Sequence, residues 1–179
     1  MEYYVNSKFE ILTTRFNSHT YNEMEEFKKK IKYKGSIYNT SIRMSYDVHP
    51  EKYLFVLEMN NTINKIMGIG LIKNRVYNDR RFNDIYDDEN LNRNTYRSKF
   101  HVKVWDSIKV APLVDDFEAE YIEEEFEQRV FFGKGHLKRG HSFTRFPYKW
   151  LTTRHKMFLV ELFQKYSPEI NKLLEQFEE

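Results

Sequence analysis

The chain has no cysteine, only six glycines and four prolines, and no long apolar run. Without cysteine there are no disulfides and no thiolate metal sites, and an intracellular setting is the simpler expectation. No apolar stretch approaches the roughly 18 residues of a membrane helix, so no membrane partner is expected. The opening MEYYVNSKFE lacks the apolar core of a secretory signal. Internal repeats and low-complexity linkers are also missing. The 179 residues are therefore read as one domain over 1–179 with an ordinary core.

Aromatics, by contrast, are plentiful. Thirteen Tyr and fifteen Phe are more than a small core hides, so some are expected to line a surface or pocket. The same bias toward Phe, Tyr, Asn, Lys and Ile fits AT-rich coding, as in a virus or an AT-rich microbe. Net charge is only +2, but it is divided into blocks. Asp115 to Glu127 carries eight acids and no base, and reads as a helix with a solvated acidic face. Gln128 to Val160 holds no acid and many bases. Such a block gives a near-neutral chain a positive face suited to a polyanion.

Local patterns place the elements. Glu23 to Lys32 (EMEEFKKKIK) runs from acids to lysines, which suits a short helix and its dipole. Lys34 to Ser41 reads as a turn into a strand. Tyr53 to Asn60 and Asn64 to Lys73 read as a hairpin across Asn60-Asn61-Thr62. Gly68 and Gly70 share one face of its second strand, where glycine marks a bend or a close approach by another group. Asn74 to Asn94 is the longest loop-like segment, and Phe100 to Trp105 alternates like a strand. Asp116 to Phe132 reads as the acidic helix, with Phe117, Tyr121 and Phe126 facing inward. Thr152 to Phe163 is an amphipathic helix, and Ser167-Pro168 starts a last one. Strands without a βαβ rhythm predict an α+β fold, a small curved sheet or partly closed barrel flanked by helices.

GKGHLKRGHS, Gly133 to Ser142, concentrates glycines and bases. Gly135 to Ser142 nearly spells a nucleotide P-loop, but His141 stands where a permanently charged lysine belongs, and the strand–loop–helix setting is missing. His136 and His141 lie five apart with no acid nearby, so no metal site is expected. A basic finger remains. Its glycines let the backbone approach closely, and Lys134, His136, Lys138, Arg139, His141 and Arg145 are candidate phosphate contacts. Phe143, Phe146, Tyr148 and Trp150 interleave with these charges as stacking residues do, with about half expected to anchor the loop instead. Glu58 is the one acid set in an apolar strand, and is expected to face solvent.

Three segments, in order, resemble YTH domains of the PUA-like group. Lys34 to Thr40 (KGSIYNT) resembles their Lys-Gly-Val-Trp segment. Tyr53 to Ile72 resembles their glycine-containing hairpin. Tyr96 to Trp105 (YRSKFHVKVW) resembles their Trp-Lys-Gly-Lys-Phe segment. The similarity spans roughly residues 30 to 165. It implies a PUA-like barrel that reads N6-methyladenosine in single-stranded RNA through an aromatic cage, with no cofactor and no chemistry. Tyr38 and Tyr96 would be walls, both replacing the family's Trp. Leu91, Tyr86 or Phe82 would be the third, and Asn39 would lie where the N6–H is accepted.

Three other readings stand beside it. One is an EVE-like reader of modified DNA. Another is an ASCH-like hydrolase of nucleosides or nucleic acid, with Glu58 or Lys103 as acid or base. A buried, perturbed Lys or Glu beside Tyr38 would favour the hydrolase, and a dry aromatic cage would count against it. The last is an interaction module in which the charge blocks bind a partner or a second copy of the chain.

Overall fold

The structure, a computed structural model, describes residues 10–103, 116–140, 142–166, 168–170 and 172. Strands are β1 (Glu10–Phe16), β2 (Ser36–Thr40), β3 (Tyr53–Asn60), β4 (Lys65–Lys73), β5 (Asn94–Ser98), β6 (His101–Lys103) and β7 (Thr144–Arg145). Helices are α1 (Ser18–Lys30), α2 (Asp116–Phe131) and α3 (Thr153–Tyr166). This is an α+β chain, and no helix among the described residues is long and apolar enough to cross a membrane.

Five strands make one sheet in the order β6-β4-β3-β1-β7, while β2 and β5 form a separate antiparallel pair. Strand β3 is buried over nearly its whole length, which is why YLFVLEMN reads as a continuous apolar run. Its Phe55, Leu57 and Met59 face a core built with Ile122, Phe126 and Val130 of α2 and Phe158 to Phe163 of α3. Its Leu54 and Val56 face a second core with Met24 of α1 and the β2–β5 pair. Each such side chain contributes about 1.5–3 kcal/mol on burial. The small sheet is tied to the large one by Ser36 Oγ, which donates to Phe100 O, and Ser98 Oγ, which donates to Leu71 O.

The structure corrects three readings. β1 pairs with β3 in parallel, with α1 in the crossover, so a parallel unit does exist. Helix α1 begins five residues before Glu23, because Asn17 and Thr20 close a capping box at its start. The acidic face of α2 is not wholly solvated. Glu127 is buried, pairs with Lys65 at 3.1 Å and accepts the Ile66 N–H. Of the inward candidates on α2, Phe126 is in the core, while the side chains of Phe117 and Tyr121, like Trp105, lie outside the described residues. Where the last helix was expected, Pro168–Ile170 forms a 3-10 turn and Lys172 is helical, while the rest of that segment lies outside the described residues.

Candidate functional site

A cavity of about 190 Å3 opens where the end of β2 meets β1, the 3-10 turns of the 79–93 segment and the basic loop. Tyr38, Asn39, Tyr86 and Leu91 line it, together with Arg15 and Ser142. Four of the five expected base contacts are thus brought together. Asn39 supplies its unusual feature. Its Nδ2 donates to Phe82 O at 2.9 Å and to Asn92 Oδ1 at 3.2 Å, which fixes the amide's orientation. Its Oδ1 is buried and has no partner. An unpaired buried acceptor costs about 1–3 kcal/mol, a penalty that a ligand N–H can remove.

Tyr96 sits elsewhere. It is fully buried, its hydroxyl accepts the Met44 N–H at 2.8 Å, and it is not part of the cavity wall. Tyr38 and Tyr96 are cross-strand partners, but both meet the Phe143 ring edge-on, at 5.9 and 5.1 Å. Phe143 therefore fills the space beside them. Phe82 is buried beneath the Arg97 guanidinium at 4.4 Å and does not line the cavity.

The basic loop is held by a residue that sequence reading passed over. The Arg15 guanidinium donates to Leu137 O, Gly140 O and Ser142 O and to Thr144 Oγ1, at 2.6–3.2 Å. Lys134 and Arg139 are exposed on this loop. His136 Nδ1 accepts the Lys138 N–H, and Lys138 Nζ donates to Asn64 Oδ1 at 2.8 Å. Arg145 is engaged by Asp47 at 2.6 Å and Glu10 at 3.4 Å. His141 lies outside the described residues, and so does the Tyr148 side chain. Phe146 is core, and Trp150 packs near Gly135 with Arg129 5.1 Å from its ring. Arg15→Met should therefore free residues 137–142 without unfolding the sheet. The expected result is a large rise in amide exchange confined to that loop and a loss of about 1–3 kcal/mol in denaturant melts. Unchanged exchange would mean that the loop holds itself.

Glu58 does not face solvent. It is 1% exposed, and His101 Nε2 lies 2.9 Å from both of its oxygens. Tyr38 Oη donates to Glu58 Oε2 at 2.9 Å. The two strand glycines explain how this polar cluster fits on a sheet. Gly68 is the partner of Glu58, and a Cβ there would stand 2.7 Å from Glu58 Oε1 and 2.9 Å from His101 Nε2. A Cβ at Gly70 would stand 2.1 Å from Tyr38 Oη. Glu58 thus crosses β4 above one glycine, and Tyr38 reaches it above the other. A register shift beside Glu58 adds a bulge at this point.

Burial pushes the Glu58 carboxyl up, but the His101 ring, the Lys28 ammonium and the Tyr38 hydroxyl outweigh it and hold the group below the usual carboxylate range. Burial and the Glu58 charge push the Tyr38 phenol well up, so it stays a neutral donor. Burial lowers the Lys28 ammonium, and the Glu58 and Glu25 carboxylates pull it back.

Among the described residues, one group of ligand-type side chains, His19, Glu23 and Asp87, gathers near the surface. Glu23 already pairs with His19 at 3.5 Å and accepts the Asp87 N–H, which accounts for the gathering without an ion.

With this geometry in view, no family model matches the chain, and neither a curated protein nor a solved structure matches it.

Proposed function

We propose that the chain is a nucleic-acid-binding module that takes one base of a single strand, RNA first, into the cavity at the end of β2. The carrying observation is that Asn39, whose buried Oδ1 has no partner, lines the cavity with Tyr38, Tyr86 and Leu91. A volume of about 190 Å3 falls below the roughly 300–1,000 Å3 of drug-sized sites and suits a single planar base. Oδ1 would accept the exocyclic N–H, and Tyr86 and Leu91 would receive an apolar substituent such as an N6-methyl group. A partly closed PUA-like barrel, with β2–β5 as its curled edge, belongs to this reading. So do exposed Lys134 and Arg139 as backbone contacts, since phosphate contacts add affinity without reading sequence. The base is held by a hydrogen bond and one mixed wall rather than between two Tyr faces.

The test is anisotropy binding of short strands carrying adenosine or N6-methyladenosine, as RNA and as DNA. Leu91 lies in a partly exposed turn, so Leu91→Trp fills the cavity with little risk to the core. At least tenfold weaker binding of the preferred strand by Leu91→Trp is expected, consistent with the roughly 1–3 kcal/mol of one base contact. Equal binding by wild type and Leu91→Trp would sink the reading.

A specific observation favours the hydrolase as a second reading. Glu58 is buried directly against Tyr38, the arrangement set out above as its mark. The cavity is also not a dry aromatic cage, since Thr14, Thr40 and Ser41 line it too. In this reading the ionised Glu58 orients His101, which lines the lysine-rich opening beside β6 rather than the cavity, and the imidazole is the proton-transfer group rather than Glu58 or Lys103. Release of nucleoside or nucleotide from single-stranded RNA, abolished by His101→Gln, is its test.

A further inference from the structure

A second opening, about 630 Å3 in volume, lies between the end of α1 and β6. Its walls carry Lys28, Lys29, Lys32, Lys34 and Lys103, and His101 stands among them. Glu25 and Glu26 are the opposing charges, and Glu25 is already tied to Lys103 at 3.0 Å. The excess is therefore strongly positive. Two of the wall groups are built in rather than loose on the surface. Lys28 is 7% exposed, and the His101 side chain is 4% exposed with Nε2 committed to Glu58.

The C-terminus of a helix ordinarily repels anions. Here three of its last four carbonyls are taken up internally. Ile31 N–H donates to Phe27 O, Lys32 N–H to Lys29 O, and Tyr33 N–H to Lys28 O. Lys32 completes this turn in the left-handed region, at φ 55°. The closed turn folds Lys32 and Lys34 back beside Lys28 and Lys29. Buried Lys28 and His101 already face the Glu58 carboxylate, so the exposed lysines supply the charge that an anion would meet.

We infer that this groove binds phosphate, either the monoester of a free nucleotide or the diester of a strand whose base occupies the cavity at the other end of β2. The five residues of β2 separate the two openings by on the order of 15 Å. The chain Tyr38–Glu58–His101 joins a residue of the cavity wall to a residue of the groove wall. The groove stands on its own observations and does not need the base reading to hold.

The experiment is an amide NMR titration of the full chain with three probes in turn: inorganic phosphate, adenosine 5′-monophosphate and a short unmethylated single-stranded RNA. Shifts are expected at residues 28–34 and 101–103. The double reversal Lys29→Glu/Lys34→Glu changes only exposed side chains and should weaken binding at this place at least tenfold. Lys149→Glu, an exposed charge outside the groove, should leave it unchanged. Response to all three probes supports a site for the phosphate group itself, and response to RNA alone supports a strand-backbone site. No shift at 28–34 and 101–103 with any probe, or equal affinity of wild type and the double reversal there, overturns the inference. Leu91→Trp separates the two proposals. It should abolish base binding and spare the groove, whereas loss of the groove response with base binding intact removes this site alone.

Discussion

Glu58→Gln should flatten the acid limb of the protein's stability curve. The native carboxyl is held below its ordinary value by His101, Lys28 and Tyr38, against the opposing effect of burial. A group whose folded pKa is depressed contributes stability that is present above its unfolded value, near 4.3, and is lost as pH falls through the folded value. Wild-type stability should therefore decline from about pH 5 downward, and Glu58→Gln should lack that part of the decline. Asp47, Asp79 and Glu169 are also depressed, by surface partners, but they are common to both proteins and cancel in the difference. At pH 7 the variant loses the carboxylate that faces His101 and the Lys28 ammonium. Breaking a buried pair costs about 3–5 kcal/mol, because it strands the other charge. Glutamine keeps the shape and one acceptor for Tyr38, so the lower end of that range is expected. Urea melts of both proteins between pH 3 and 7 measure the difference. Parallel curves would show that Glu58 is no more ionised in the fold than in the unfolded chain.

The hairpin was legible because β3 and β4 are apolar, of ordinary length and joined by a turn rich in Asn. The glycine pair was legible as a sign of close approach, and the approaching groups prove to be Glu58, His101 and Tyr38. The identity of those groups was not legible. Glu58 and His101 lie 43 residues apart in the chain, and only the β3–β4–β6 order makes them neighbours. An acid in an apolar strand is usually solvent-facing. Here the matching gap was written in the partner strand, as glycine opposite glutamate. Arg15 escaped notice for a similar reason, since three of its four acceptors are backbone carbonyls more than a hundred residues away and carry no side-chain signature. The cavity was half legible. Tyr38, Asn39, Tyr86 and Leu91 were found together, but Tyr96, one strand across from Tyr38, turns its ring into the core against Phe143.

Gly70→Ala should be among the most destabilising single-methyl additions in the chain. The new Cβ would stand 2.1 Å from Tyr38 Oη, 2.5 Å from Ser36 Oγ and 2.9 Å from Tyr38 Cζ. None of these can give way cheaply. The Tyr38 ring is fully buried and abuts Phe143, its hydroxyl is bound to Glu58, and Ser36 Oγ ties the small sheet to Phe100 O. Overpacking of this kind costs about 1–3 kcal/mol and occasionally more. Loss of a hydrogen bond to a charged acceptor adds roughly 1.5–3 kcal/mol. The strand offers no compensation, since backbone stiffening by Gly→Ala gains only about 0.4–1 kcal/mol. A loss of about 3–5 kcal/mol is the expected outcome. Tyr38→Phe removes the 2.1 Å contact but leaves the one at Cζ, so Gly70→Ala should cost measurably less in the Tyr38→Phe background. Denaturant melts of the four proteins of that cycle give the coupling directly. If Gly70→Ala costs the same in both backgrounds, the glycine is there for the strand and not for Tyr38. If the cost falls, the two glycines of β4 are the space in which the Tyr38–Glu58–His101 chain lies, between the cavity at one end of β2 and the lysine groove at the other.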